Sequence, residues 1–122
     1  MKGKQESAPS TIDARYNTPL PIPPKTGDMF SELVKYSKRL ELAALLRARG
    51  LYVRWHAYEY LLGLDGRIVG VLLLEPTKRV AWLYMARHVP RTAQEEVAKT
   101  VSSIIKELDP DMRIKVLRLS LE

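Results

Sequence analysis

Aromatic and basic side chains are concentrated together in one stretch of this 122-residue chain. Between Leu51 and Arg87 lie six of its nine aromatic residues and five arginines or lysines. A sheet face that mixes flat π-surfaces with cations suits a single-stranded nucleic acid, because bases stack on the rings while phosphates meet the charges. The same mixture also arises on an ordinary half-buried sheet whose tyrosines pack under a helix. The residue types alone leave both interpretations open.

Leu51–Leu64 reads as one strand, long enough to bend near Ala57–Tyr60, and alternation along it predicts which of these side chains share a face. One side of that strand would carry Tyr52, Arg54, His56, Tyr58 and Tyr60, while Trp55 would face the core with Leu51 and Val53. The following strands add further rings and cations. The predicted nucleic-acid-binding residues are Tyr52, Arg54, Tyr58, Tyr60, Arg67, Lys78, Arg79, Trp82, Tyr84 and Arg87.

Two helices are expected around the predicted strands. Asp28 is a suitable N-cap for a helix that runs to about Arg49, where Gly50 ends it in the left-handed conformation. A second helix, to about Leu108, would begin with a capping box at Thr92-Ala93-Gln94-Glu95. The apolar stripe predicted for the first helix consists of Phe30, Leu33, Val34, Leu40, Ala44 and Leu45.

The remaining strands follow from turn signals. Asp65-Gly66 predicts a two-residue hairpin turn after the first strand. Arg67–Glu75 is apolar on both faces, which indicates a central strand. Arg79–Ala86 returns antiparallel, with Trp82 and Tyr84 on one face, and Met112–Leu119 is the last strand. The expected fold is α+β, with a four-stranded, mainly antiparallel sheet, two flanking helices and the order α-β-β-β-α-β.

The first 27 residues differ in composition from the rest of the chain. They contain five of its eight prolines, and proline fixes an extended backbone and removes hydrogen-bond donors. We therefore predict a flexible or extended Pro-rich arm over residues 1–27 and a single α+β domain over residues 28–122. Such an arm either binds ligand or covers the sheet.

Composition narrows the classes of function. The net charge is +6 and the pI is about 9.7, which favours polyanionic partners. With no cysteine and two histidines, disulfides and thiolate metal sites are excluded, and we expect no cofactor or metal. No apolar run is long enough to cross a membrane, and the polar N-terminus lacks a signal-peptide core, so a cytoplasmic protein without a membrane partner is expected.

Charge is unevenly distributed along the chain. Residues 91–111 hold three cations and five acids, whereas the other segments are net positive. The second helix is therefore expected to lie away from a polyanion. The first helix, the sheet and the last strand, with Arg113, Lys115 and Arg118, would form the basic side.

A nuclease is the main catalytic alternative. The element order resembles the core of the PD-(D/E)XK nucleases, in which carboxylates bind magnesium beside a lysine. Asp65 precedes the central strand, Glu75 ends it and Lys78 follows. The family places its acid and lysine two positions apart on one side of a strand, but here Pro76 intervenes and the separation is three. Asp65 also suits its turn without any catalytic role. We therefore expect the domain not to be an enzyme.

The amino-acid composition is typical of proteins from thermophiles and contributes to a resemblance to a known family. Asn and Gln together number only three, while charged and branched aliphatic residues abound. With a small basic α+β domain and interleaved aromatic and basic residues, the region Asp28–Leu119 resembles the ThermoDBP family of archaeal single-stranded DNA-binding proteins. The resemblance implies a cleft of basic and hydrophobic residues that holds single strands. Members carry a C-terminal leucine zipper, whereas the last predicted strand here ends at Leu119, and no family residue is transferred.

The sequence therefore predicts sequence-nonspecific binding of single-stranded nucleic acid, with DNA favoured over RNA, through an aromatic and basic sheet face. A PD-(D/E)XK-like nuclease and a protein-interaction module are the alternatives. The sequence also leaves a homodimer open.

Overall fold

The computed structural model describes residues 30–119. Asp28 and the predicted Pro-rich arm lie outside the described residues. The elements, in chain order, are a 3₁₀ turn Glu32–Val34, helix α1 Tyr36–Ala48, strands β1 Tyr52–His56, β2 Glu59–Leu64 and β3 Arg67–Glu75, a 3₁₀ turn Pro76–Lys78, strand β4 Val80–Ala86, helix α2 Arg91–Leu108 and strand β5 Arg113–Leu119.

The five strands form one mixed sheet in the order β1-β2-β3-β4-β5. Strands β1 to β4 are an antiparallel meander, and β5 lies parallel to β4 because α2 carries the chain back across the sheet. The α+β class and the central position of β3 are confirmed. The expected four strands and the order α-β-β-β-α-β are wrong, because the predicted strand Leu51–Leu64 is a hairpin of two strands.

The turn that divides this segment is Ala57-Tyr58, and its sequence gives no turn signal. Ala57 adopts a left-handed backbone with φ of 56°, a conformation that costs a side-chain-bearing residue energy. The Ala57 carbonyl accepts hydrogen bonds from the Trp55 Nε1 (2.8 Å) and the Arg39 Nε (3.1 Å). These two side-chain donors stabilise a turn that the local sequence does not favour.

The Asp65-Gly66 turn, in contrast, follows its sequence signal. Both residues have positive φ, 53° and 79°, as a two-residue turn of the type favoured by Asp-Gly requires. Gly50, with φ of 95°, ends α1 in the left-handed region as expected.

Both helices lie on the same face of the sheet and contribute to one core. The predicted stripe of the first helix is confirmed at Leu33, which lies in the core, and at Leu45, which packs against it. It is wrong at its other positions, because the regular helix begins only at Tyr36 and its rotation differs. Phe30, Val34 and Leu40 are exposed. The helix α1 instead buries Arg39, Leu42, Ala43 and Leu46.

The start of α2 also differs from the predicted capping box. Its N-cap is Pro90, and no side chain caps that end of the helix. The buried Gln94 side chain instead donates to the carbonyls of Ala86 and Val89, each at 3.0 Å. The Gln94 amide nitrogen thus connects the start of α2 with the end of β4. The Gln94 side-chain oxygen accepts a hydrogen bond of 3.1 Å from the Arg118 Nε.

Within residues 30–119, neither helix combines the length and the apolar character that crossing a bilayer requires.

Candidate nucleic-acid interface

The face of the sheet opposite the helices is covered by neither α1 nor α2. Strand register assigns its residues, because cross-strand partners point to the same side. We call this surface the open face; it consists of Tyr52, Arg54, His56, Glu59, Leu61, Ile68, Val71, Leu73, Glu75, Val80, Trp82, Tyr84, Arg113, Lys115 and Leu117.

Three aromatic rings lie on the open face. Tyr52 in β1 is 55% exposed, and its ring lies over Gly63, where a Cβ would come within 3.1 Å of the ring. Trp82 and Tyr84 are half-buried on β4. The spacing of strand residues separates those two by about 7 Å along the strand, and three strand spacings separate β1 from β4 by about 14 Å. The rings therefore span most of the sheet.

Two cations of the open face lie beside these rings. Lys115 is the direct cross-strand neighbour of Trp82, and Arg54 lies two residues from Tyr52. Both side chains are exposed, and within residues 30–119 neither forms an ion pair or a hydrogen bond. Each is thus available to an anion. The sequence predicts Lys115 on the basic side but not among the binding residues, although its alternation with Arg113 and Leu117 indicates that these three side chains share a face of the last strand.

The electrostatics of the open face depend on its surroundings. Two acids, Glu59 and Glu75, lie on it beside the three cations Arg54, Arg113 and Lys115, so its own formal charge is only +1. Residues 30–119 nevertheless have the full net charge of +6. The residues outside this range contain four cations and four acids, whose charges sum to zero. The segment 91–111, on the helix side, is net negative as the sequence shows. The positive excess therefore belongs to the remainder of the domain, which includes the sheet.

Among residues 30–119, the carboxylate of Glu75 is held by an aromatic side chain and not by a cation. It lies half-buried at the end of β3, and its Oε1 accepts a hydrogen bond of 2.8 Å from the Trp82 Nε1. Within the described residues the carboxylate has no other hydrogen bond and no ion pair. An acceptor is thereby held at the edge of the indole ring.

A shallow depression of about 240 Å³ lies on the β1–β3 part of the open face. It is lined by Arg54, His56, Glu59, Leu61 and Val71. A second depression of about 410 Å³ lies at the hairpin end of the sheet beside Tyr52 and Arg67. Both are shallow surface features and leave the sheet open to an extended ligand.

The prediction that Tyr60 lies with the stacking residues is wrong. The Ala57-Tyr58 turn reverses the alternation, so Tyr60 points to the helices and is fully buried. Its ring stacks on Trp55, with centroids 6.1 Å apart, and its hydroxyl donates to the Arg39 carbonyl at 2.9 Å. Burial raises the pKa of Tyr60 well above its usual value, and the Arg39 charge offsets part of that rise. Trp55 lies on the same side, half-buried against the core, as predicted.

Tyr58 belongs to the turn and to neither strand. It is partly exposed, and the Arg39 guanidinium lies 4.1 Å from its ring centroid. This cation–π contact joins the hydrogen bonds of Arg39 to the carbonyls of Leu33, Val34 and Ala57. Tyr58 is therefore part of a structural cluster on the helix side of the turn, and its predicted place on the shared face is wrong.

Arg79 is also engaged in the structure. Its Nε lies 3.6 Å from the Asp109 carboxylate and its Nη1 lies 3.7 Å from that of Asp111, while Nη2 donates to the Phe30 carbonyl at 3.1 Å. The left-handed backbone of Arg79, with φ of 53°, reverses the chain after the turn Pro76–Lys78. These contacts connect that turn with the α2–β5 loop.

The other three predicted cations lie around the sheet. Arg67 begins β3, Lys78 ends the turn before β4, and Arg87 follows β4; all three are exposed. The structure thus brings Tyr52, Arg54, Trp82 and Tyr84 together on one face and leaves Arg67, Lys78 and Arg87 at its margins.

The residues considered for a nuclease are not assembled into one site. Asp65 and Glu75 lie at opposite ends of β3, about 30 Å apart by strand rise. Over residues 30–119, no group of three or more His, Asp or Glu side chains is arranged to hold a metal ion.

No protein-family model matches the chain, and no curated protein or solved structure is significantly similar to it. A functional assignment therefore depends on the residues of the open face themselves.

Proposed function

We propose that the domain binds single-stranded nucleic acid across the open face, with single-stranded DNA as the preferred ligand. One observation carries the proposal: Tyr52, Trp82 and Tyr84 lie together with unpaired cations on a sheet face that neither helix covers. Bases would stack on the rings, while Arg54 and Lys115 would neutralise phosphates.

A single strand suits this surface better than a duplex. Base faces in a duplex are already stacked on their neighbours, so only unpaired bases offer a free π-surface to Trp82 or Tyr84. Each engaged base would contribute on the order of 1–3 kcal/mol. Since every base has such a surface, this contribution tolerates most sequences.

The aliphatic residues of the open face would exclude water from the stacked bases. Ile68 and Leu117 are 43% and 41% exposed, and Leu61, Val71 and Leu73 lie between the aromatic rings of β1 and β4. An apolar surface also suits a protein partner or a second copy of the chain. The unpaired cations and the net positive charge favour the nucleic acid.

Fluorescence anisotropy tests the proposal with a labelled 12-nucleotide oligo(dT) and its duplex across a salt series. We expect the single strand to bind more tightly, with log K falling by about 0.7 per neutralised phosphate for each unit of log salt. The variant Tyr84→Ala should weaken binding about 5- to 150-fold, which corresponds to the loss of one stacked base. Tyr36→Ala, at an exposed tyrosine on α1, is the matched control and should change little.

Three results would contradict the proposal. The first is the absence of binding at low salt. The second is an oligomer, detected by sedimentation, that Tyr84→Ala converts to monomers, because the open face would then be a protein interface. The third is cleavage of the oligonucleotide with magnesium, which would favour a nuclease.

A further inference from the structure

Glu75 is the least expected residue on a surface proposed to meet a polyanion. A carboxylate there repels phosphate, yet nothing in the described fold requires its charge, since its only bond is the one from the Trp82 Nε1 at 2.8 Å. That bond uses one of the two lone-pair sites of Oε1, which can accept a second hydrogen bond, and Oε2 has no partner among the described residues. A fixed acceptor at the edge of an aromatic ring is suited to reading the edge of a base.

We infer that Glu75 gives the open face a preference for guanine at the nucleotide that stacks on Trp82. The inference rests on the proposed function and adds a base preference at one position to otherwise sequence-tolerant stacking. An ionised carboxylate only accepts hydrogen bonds. It therefore selects a base by the N–H groups on that base's exposed edge.

The four bases differ in what their Watson–Crick edges offer to a carboxylate. Guanine presents two adjacent donors, N1–H and the N2 amino group, and a carboxylate accepts both at once. Cytosine and adenine each present one amino group beside an acceptor nitrogen. Thymine and uracil present one N3–H between two carbonyl oxygens, which repel the carboxylate. Guanine is therefore the only base whose Watson–Crick edge donates two hydrogen bonds to the carboxylate at once.

The bond between Glu75 and Trp82 makes this readout specific to one position. The indole supplies the stacking surface, and its own N–H holds the acceptor beside that surface. Lys115, the cross-strand neighbour of Trp82, places a cation next to the same ring for the adjoining phosphate. Ring, acceptor and cation therefore form a compact unit for one nucleotide. A good bidentate contact between a side chain and a base discriminates by about 1–3 kcal/mol, or roughly fivefold or more.

The test compares a labelled oligo(dT) 12-mer with three versions that carry guanine, inosine or adenine at one central position. Inosine keeps N1–H and lacks only the N2 amino group. We expect the guanine oligomer to bind at least about fivefold more tightly than oligo(dT), with inosine between them. The single substitution in a thymine background also avoids four-stranded guanine structures.

Two variants test whether the guanine preference depends on the Glu75 carboxylate and on the hydrogen bond from Trp82 that holds it in place. Glu75→Gln preserves size and the bond from Trp82, and should abolish the guanine preference while oligo(dT) binding stays equal or becomes stronger. Trp82→Phe keeps a stacking ring but releases the carboxylate, and should reduce the preference. Glu59→Gln is the matched control, because it removes an acid from the same face at a residue that bonds no ring, and it should retain the preference.

The outcomes distinguish the inference from the function on which it rests. If the wild-type protein binds all oligomers equally, or if Glu59→Gln loses the preference as fully as Glu75→Gln, the inference is overturned and nucleic-acid binding stands. If no oligomer binds at low salt, the proposed function fails.

Discussion

Replacing Tyr60 by phenylalanine should lower the free energy of unfolding by about 1 kcal/mol at pH 7 and leave nucleic-acid binding unchanged. The variant keeps the ring that stacks on Trp55 and removes only the hydroxyl that donates to the Arg39 carbonyl at 2.9 Å. A buried hydrogen bond of this kind contributes on the order of 0.5–1.5 kcal/mol net. Because Tyr60 points away from the open face, oligonucleotide affinity should not respond.

The stability difference between the wild-type protein and Tyr60→Phe should also depend on pH. Burial raises the pKa of Tyr60 in the folded protein, whereas the unfolded chain titrates near about 10. The folded state thus holds the phenolic proton more tightly. The stability that this proton confers is fully present below about pH 10 and is lost as the pH rises toward the folded-state pKa, by about 1.4 kcal/mol for each pH unit.

The wild-type protein should therefore lose its advantage over Tyr60→Phe at alkaline pH, and by about pH 11 the two should be equally stable or reversed in order. Urea unfolding of both proteins at pH 7, 9, 10 and 11 measures the difference, and titration of every other group cancels in the comparison. A stability difference that stays constant over this range, or a loss of oligonucleotide binding at pH 7, would refute the placement of Tyr60 in the core.

Three further substitutions test other contacts. Gly70→Ala should lower the free energy of unfolding by about 1–3 kcal/mol in urea melts, because a Cβ would lie 2.5 Å from the Tyr84 carbonyl oxygen and strand β4 would have to move; wild-type stability would contradict this register. Arg39→Met should cost about 2–3 kcal/mol in the same assay, since it leaves one buried and two part-buried carbonyls without their donor, and an unchanged midpoint would contradict the role of the guanidinium. Lys115→Gln should reduce the salt slope of oligo(dT) binding by about 0.7, whereas Lys99→Gln, on α2, should leave it unchanged; equal slopes for both variants would exclude a phosphate contact at Lys115.

The sequence predicts an element where its own residues favour the local backbone. Asp65-Gly66 specifies its turn because both residues tolerate positive φ, and the two-sided apolar pattern of Arg67–Glu75 identifies a central strand. With both correctly placed, the alternation in β4 puts Trp82 and Tyr84 on the same face as β3 residues of the open side. This part of the candidate site follows from local signals.

The remainder depends on contacts between distant residues. Ala57 turns the chain although alanine disfavours its conformation, and the Arg39 side chain that stabilises the turn comes from a helix 18 positions earlier. No local pattern contains that contact. The one available warning was length, because an uninterrupted strand over Leu51–Leu64 exceeds the usual range of about 3–10 residues. Because the sequence does not indicate this turn, strand alternation places Tyr60 on the wrong face of the sheet.

The sequence also does not indicate which cations form ion pairs. Arg79 and Arg54 are the same residue type in similar surroundings, yet the first contacts Asp109 and Asp111 while the second has no partner among the described residues. Only the fold distinguishes a cation that holds two loops together from one that is available to a phosphate. The bond between Glu75 and Trp82 likewise joins two strands that the sequence separates by a turn.

The two tryptophans provide the most direct test of binding through the open face, because Trp82 lies on that face and Trp55 lies on the helix side of the same sheet. In a Trp55→Phe variant the fluorescence arises from Trp82 alone, and in Trp82→Phe it arises from Trp55 alone. Titration with oligo(dT) should quench the emission of Trp82, since a stacked base lies against its ring, and should leave that of Trp55 nearly unchanged. Quenching of Trp55 alone, or of neither residue at saturating oligonucleotide, would contradict a nucleic-acid interface on the open face.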